Sequence, residues 1–345
     1  MPQAKPAILA GLLALLLAAC VPGGDVRTHM TIVGSSTVYP FSKLVAERFV
    51  RNNPGARAPV LEQNGTGAGL KLFCDGVGAG YPDIANASRR IKASEAEQCL
   101  ANGVRQIVEI PIGIDGLALI EARGVPPLDL SVRDVYAGLA ARPFGRAQTA
   151  RTWADVNPSL PAIPIQVYGP PPTSGTRDAF AELVLTKGCE TDPAMKALKK
   201  ADEDRHKAIC TTVREDGAFV EAGENDNLLV QKVTGNPGAL GIMGYSFLGE
   251  NADRVRGVAL NGVEPTAANI SSFRYPGARP LYMYVKGEHL RVIPGLRAYV
   301  SEFANAWGPG GYLERHGLLA NPPERAAEAQ AAAAALRPMD VRELG

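Results

Sequence analysis

The chain has 345 residues, more than one ordinary core accommodates, so two domains are expected. Hydrophobic residues make up 46% and charged residues 21%, the profile of a globular protein. A formal net charge of +1 offers no basic footprint for nucleic acid, and 6% aromatic residues leave little for base stacking, so no nucleic-acid partner is expected.

At the N-terminus, Lys5 precedes an apolar run from Ala7 to Ala19. The run is short for a bilayer span and reads as the h-region of a signal peptide, so residues 1–19 are set apart from the fold. It ends Leu17-Ala18-Ala19-Cys20, the pattern of a bacterial lipobox, which marks Cys20 for lipidation. Two or more acyl chains anchor a protein stably, so a membrane tether over residues 20–29 is expected. Val21 stands where an Asp commonly marks inner-membrane retention, which points to the outer membrane.

Residues 30–34 read as a strand ending in Gly34. Ser35-Ser36-Thr37 follows, types that favour N-caps, and then Phe41, Leu44, Val45 and Phe49 at helical spacing. A second strand, Ala58 to Glu62, leads into Asn64-Gly65-Thr66-Gly67-Ala68-Gly69 and a helix from Leu70. A third, Asp83 to Ala87, leads into Ser88-Arg89-Arg90. Strand, small polar loop and helix recur, which implies α/β with a largely parallel sheet. The apolar run Ile107 to Ile120 reads as a long strand crossing between domains. Leu128 to Leu139 is a predicted helix, and residues 141–164 a loop with a short helix. Ile165 to Tyr168 is a strand that meets Gly169 to Thr176 and a helix from Arg177. Asp226 to Val233 is helical, Leu240 to Tyr245 a strand, Pro280 to Val285 a returning strand, and Ala298 to Ala306 a helix. Residues 321–345 are Ala-rich with little apolar patterning and read as a solvated tail helix or partly disordered segment.

With Cys20 set aside, Cys74, Cys99, Cys189 and Cys210 remain. An even count in an exported chain suggests disulfides, and four cysteines allow three pairings. The sequence-local pairing, Cys74–Cys99 with Cys189–Cys210, closes loops of about two dozen residues each. A zinc site finds no support in a CxxC or a neighbouring His, so neither metal nor cofactor is expected.

Four loops share one composition: Ser36-Thr37, Thr66-Gly67, Ser88-Arg89 and Ser174-Gly175-Thr176-Arg177. Each opens a predicted helix, whose first turn exposes unpaired N–H groups and the positive end of the helix dipole. Several such ends converging make an anion cage without net positive charge. Hydroxyls add donors, glycine admits close backbone approach, and Arg89 and Arg177 offer forked hydrogen bonds to an oxyanion. Each Ser or Thr alone is better explained by capping; the recurrence in four loops, two with Arg attached, points to a ligand.

Gly34-Ser35-Ser36-Thr37-Val38-Tyr39-Pro40, Asn64 to Lys71, Ala87-Ser88-Arg89 and Ser174-Gly175-Thr176-Arg177 resemble, in order and spacing, the ligand loops of PstS-type phosphate-binding proteins. The resemblance extends over roughly residues 30–320. It implies the two-lobed type II periplasmic-binding-protein fold, with hinge strands and an interlobe anion cleft. Lobe 1 would hold residues 30–115 and 275–320, and lobe 2 residues 116–274. It further implies high-affinity capture of inorganic phosphate and delivery to the permease of an ABC transporter, by a monomer in the periplasm. Ser36, Thr37 and the Val38 amide would hold one face of the anion, with Thr66, Gly67, Ser88 and Arg89 beside them. Ser174, Gly175, Thr176 and Arg177 would close from the second lobe.

Two positions depart from the family pattern. Some members carry Asp where Arg89 stands, a carboxylate that accepts the phosphate proton and rejects fully ionised sulfate; Asp115 and Asp226 are the candidate replacements here. Many members carry Arg four residues before the Ser of Ser-Gly-Thr; here that place is Pro170, and Arg89 and Arg177 are the arginines expected to compensate. The rival readings are a phosphate-ester hydrolase, a sulfate-type binder, and a surface signalling or adhesion lipoprotein. A hydrolase finds little support: neither Ser36 nor Ser174 lies in Gly-x-Ser-x-Gly, and His29, His206, His289 and His316 are scattered. The Gly65 to Gly69 run fits neither a dinucleotide fingerprint nor a P-loop.

Overall fold

The computed structural model describes residues 27–172, 174–223, 225–308 and 310–344. The signal segment 1–19 and Cys20 lie outside the described residues. Strands β1 (Thr31–Gly34), β2 (Val60–Gln63) and β3 (Ile84–Ala87) run parallel, with β1 in the middle. After them comes the long β4 (Ile107–Ala122), then the short β5 (Asp129–Leu130). A second parallel set follows: β6 (Val167–Gly169) lies between β7 (Phe219–Glu221) and β8 (Leu240–Gly244). β9 (Val255–Gly257) pairs with the end of β4, and β10 (Ala259–Leu260) with β5. β11 (Ala278–Lys286) returns antiparallel between β3 and β4. The sheet order is β2-β1-β3-β11-β4-β8-β6-β7.

β4 joins two sub-sheets. Its Ile107–Gly116 stretch pairs with β11, and Leu117–Glu121 pairs with β8. Side chains of successive strand residues point to opposite faces, so each sub-sheet buries two cores. On the first, Ile32, Ile84, Val108, Leu281 and Met283 pack under the helices Tyr39–Asn52 and Leu296–Ala306. On its other face, Val33, Ala85 and Tyr284 meet the helices Thr66–Cys74 and Ala93–Ala101. On the second sub-sheet, Leu119, Val167 and Ile242 pack with Tyr136, Phe180 and Val184. Its reverse face, with Ile120 and Met243, meets Leu229, Val230 and Val233 of the helix Asp226–Gly235.

Several expectations are refined. The helix predicted from Leu70 begins at Thr66, and the one predicted from Leu128 begins at Val132, after β5. Arg27, placed by sequence in the tether, is tied to the fold: its guanidinium pairs with buried Asp83 at 2.8 Å. Within the Cys189–Cys210 loop lie two helices that the sequence reading left unassigned, Pro193–Ala201 and Glu203–Thr211. The first has only Met195 and Leu198, three residues apart, half-buried on its inner face, a stripe of two residues among lysines. The Ala-rich segment, expected to be solvated, instead packs on the core. Its helix Pro323–Ala335 buries Ala329 and Ala333, four residues apart, and Met339 N donates to Ile107 O at 2.7 Å. Alanine at nearly every position hides which face is apolar.

Both sequence-local disulfides are present, Cys74–Cys99 and Cys189–Cys210. The first sits above a buried polar network. Asp83 accepts from Thr31 N at 2.7 Å and contacts His289 Nδ1 at 2.6 Å. Lys286, fully buried, donates to Gly76 O and stands over the rings of Phe73 and Tyr81. Burial pushes the Lys286 ammonium down to about 8, partly offset by Asp83 and Glu288.

Two outcomes are expected. Above about pH 8 the folded protein sheds a proton from Lys286 that the unfolded chain keeps to about pH 10.4, so stability gains with rising pH across that window. Relative to Lys286→Met, thermal or denaturant unfolding between pH 7 and pH 10 should show wild type gaining on the order of 2–3 kcal/mol; parallel pH profiles for the two proteins would refute this. Gly69→Ala would bring a Cβ to 2.3 Å from Gly34 Cα, a backbone clash, and should cost about 2 kcal/mol or more in denaturant unfolding.

Candidate functional site

The loops after β1, β2 and β3 emerge from the same end of three parallel strands, where ligands gather in open α/β sheets. Gly34 makes their close approach possible: its φ of +120° suits glycine, and a Cβ there would stand 2.2 Å from Asn86 O. Ser35 N then donates to Asn86 O at 2.9 Å, and Gly65 N to Gly34 O at 2.9 Å. Asn64 Oδ1 accepts from Gly34 N at 2.9 Å. Gly65, with φ of +80°, and Gly69, where a Cβ would stand 2.3 Å from Gly34 Cα, let the Thr66–Cys74 helix seat its first turn on this loop cluster.

Ser36 and Thr37 do not cap the following helix, as their residue types suggest. The cap position is Val38, with no side-chain cap bond, and Pro40 occupies the first turn. Both hydroxyls therefore face other partners. Ser36 Oγ donates to an Asp178 carboxylate oxygen from the second sub-sheet's side, and Thr37 Oγ1 donates to Gly175 O at 3.2 Å. A Cβ on Gly175 would stand 2.7 Å from Thr37 Cα, so only glycine lets these two loops touch.

The Ser174-Gly175-Thr176 turn opens a helix that runs on continuously to Cys189, with a wide π-helical turn over Ala181–Thr186. Ser174 Oγ accepts from Thr176 N at 3.2 Å, which leaves its own hydroxyl proton available as a donor. Thr66 Oγ1 accepts from Ser88 N at 3.0 Å and shares a 2.9 Å bond with Ser88 Oγ. Whichever hydroxyl donates in that pair, one proton remains for a ligand.

A cavity of about 670 Å³ lies between the loops and is lined by Ser36, Thr37, Asp115, Ser174, Gly175 and Thr176, with Lys43 and His316. Of the residues singled out from sequence, the structure thus brings together Ser36, Thr37, Asp115 and the Ser174–Thr176 turn. Val38 is buried behind Thr37. Thr66 and Ser88 bond to each other at the ends of the neighbouring loops. Asp226 opens its helix, but its side chain lies outside the described residues.

The two arginines expected at the anion make contacts with other groups of the protein. Arg89 makes a forked pair with Glu95, at 2.7 and 2.9 Å. Burial opposes the Arg89 charge, but Glu95 more than offsets it and holds the guanidinium above its ordinary value. Arg177 donates to Pro170 O at 3.0 Å and stacks over the Phe219 ring at 4.5 Å. Burial pushes it below its ordinary value, partly offset by Glu221 and Asp178. Arg177 thus braces the loop from behind.

The arginine that reaches the cavity walls is Arg279 of β11, only 3% exposed. Its Nε donates to Asp115 at 3.1 Å, Nη1 to Glu182 at 2.8 Å, and Nη2 to the Thr37 hydroxyl. It ties the first loop, strand β4 and the Gly175 helix to one guanidinium. The available sequence signal was a charge at the edge of an apolar strand, a residue type rarely buried unless paired.

His206 lies beside the second disulfide, with one ring nitrogen within 4.8 Å of both Cys189 and Cys210 sulfurs. His206 stands four residues before Cys210 on the same helix, one turn away, a spacing the expectation of no neighbouring His passed over. The sulfurs are joined to each other, so neither is a free thiolate ligand.

A family model described as the PBP superfamily domain matches residues 21–306. Protein SphX of Synechococcus elongatus is 34% identical over 302 residues, spanning 85% of this chain and 75% of that protein. The phosphate-binding protein PstS of Staphylococcus saprophyticus is 29% identical over 300 residues, spanning 83% of this chain and 80% of that protein. The crystal structure of a possible phosphate binding protein from Planctomyces limnophilus superposes with a TM-score of 0.71 at 28% identity, covering 90% of this chain and 99% of that one. With this match over most of its length, and with two loops of the PstS pattern, Ser36-Thr37 and Ser174 to Thr176, facing each other across one cavity, the chain belongs to the PBP superfamily as a PstS-type binding protein of the type II fold.

Proposed function

We propose that this protein binds inorganic phosphate in the cavity between its two sub-sheets and delivers it to the permease of an ABC transporter. The observation that carries the reading is the contact of the Ser36-Thr37 loop with the Ser174-Gly175-Thr176 turn across one polar cavity. Hydroxyl and amide donors from Ser36, Thr37, Val38, Thr66, Gly67, Ser88, Ser174, Gly175 and Thr176 are the proposed ligand set. Arg89 and Arg177 brace these loops. Neutral donors from separate helix starts stabilise a dianion without surplus positive charge.

The two sub-sheets act as lobes, 30–115 with 275–320 and 116–274, hinged at β4 and β11. A small anion held by donors from both favours the closed arrangement. Asp115, lining the cavity, is the proposed acceptor of the phosphate proton. Sulfate has no proton to give, so the carboxylate repels it. The protein works outside the cytoplasm, held to the membrane through lipidated Cys20, in the outer membrane, as a monomer that captures stoichiometrically without turnover.

Calorimetry with phosphate, sulfate and arsenate tests the reading. Phosphate should give a one-to-one binding heat; tight sulfate binding with no phosphate heat would overturn it. Thr176→Ala removes a hydroxyl donor to a charged ligand and should weaken phosphate by about 1.5–3 kcal/mol. Asp115→Asn should weaken phosphate by about tenfold and let sulfate compete in the same titration; unchanged selectivity would remove Asp115 from the acceptor role.

A further inference from the structure

We propose that Arg279 is the arginine of the anion site, and that Asp178 and Glu182 are internal anions that phosphate displaces when it binds. The inference rests on the phosphate reading and adds to it a device that sets affinity.

One buried guanidinium is shared by two carboxylates, Asp115 and Glu182. A third, Asp178, accepts from the Ser36 hydroxyl. The nearby Arg89 is committed to Glu95. The site as it stands is therefore already supplied with anions of its own. Bringing a dianion among three carboxylates would set like charges a few ångströms apart, and they repel. Some carboxylate must leave or take a proton.

The geometry points to which one leaves. The Glu182 side chain is 46% exposed and that of Asp115 19%. Glu182 regains water at little cost when released, whereas Asp115 belongs to β4 and is fixed by its strand. Asp178 and Glu182 stand four residues apart on the helix that begins at Gly175, so they share one face. Both reach donors of the opposite sub-sheet: Ser36 for one and Arg279 for the other. The same helix also presents the Ser174–Thr176 turn. A ligand that draws this turn onto Ser36 and Thr37 therefore competes directly with the helix's own acidic face. The π-helical turn at Ala181–Thr186 contains Glu182, and such turns recur at functional sites.

In this scheme the empty site closes on its own carboxylates. Phosphate takes over the Ser36 hydroxyl and the Arg279 Nη groups, while Asp115 remains on Nε. Apparent affinity is then lowered by the fraction of molecules held in the self-paired state.

The test is calorimetry of inorganic phosphate on wild type, Glu182→Gln, Asp178→Asn, Arg279→Gln and Arg279→Lys. Removing the internal anions should tighten phosphate by about 3- to 10-fold for each variant. Arg279→Gln should weaken it by about 30- to 100-fold, with partial recovery in Arg279→Lys. Small-angle scattering adds a readout that fold integrity alone does not move. Without phosphate, the Glu182→Gln protein should have a larger radius of gyration than wild type; with phosphate the two should coincide. If wild type binds phosphate while Glu182→Gln binds it equally or more weakly, the displacement idea is wrong. If Arg279→Gln binds as wild type does, Arg279 is not in the site. A wild type that gives no phosphate heat overturns the ligand assignment itself, and this inference with it.

Discussion

A charge taken out of water must be paired, and the fold around the cavity answers to one such charge. Arg279 sits almost wholly buried on β11, the strand that returns between the two parallel sets. Leaving any of its donors without a partner would cost more than a buried neutral group would. Its three partners come from three places: the loop after β1, the middle of β4, and the helix that follows β6. Satisfying one guanidinium therefore holds together the elements that form the cavity walls.

The glycines make that convergence sterically possible. Gly34 lies against Asn86, Gly69 against Gly34, and Gly175 against Thr37, each at a distance no side chain tolerates. The first two bring the loops after β1, β2 and β3 to one point. The third brings the second sub-sheet's turn onto the first. Hydroxyls then do two jobs. Ser174 accepts as a cap and keeps a proton, and the Thr66–Ser88 pair satisfies a backbone amide and keeps one as well. This is how a chain of net charge +1 assembles a site suited to an oxyanion.

Stability is supplied away from the site. The two disulfides each close a local loop in a different half, and the network under Cys74–Cys99 pins the segment before β3 to the end of β11. The hinge strands β4 and β11 lie between, buried on both faces along most of their length. The rigid parts are thus the sub-sheets, and the polar contacts across the cavity are the ones that water or a ligand can replace.

Much of this was legible in the residues. Short apolar runs ended by small polar loops identified the strands, and recurrent Ser, Thr and Gly at helix starts picked out Ser36, Thr37 and the Ser174–Thr176 turn, because those signals are local. Local pattern also suggested the disulfide pairing, as short loops close readily. What sequence could not determine were the partners of charged side chains. Arg89 and Arg177 stand beside the right loops yet turn to Glu95 and to Pro170 with Phe219, whereas Arg279, more than two hundred residues from Thr37, reaches the hydroxyl. An ion pair forms wherever the folded backbone brings opposite charges within a few ångströms, and sequence spacing carries no record of that distance. The packed alanine helix at the C-terminus is the same case in apolar form: its buried face is chosen by the surface it meets.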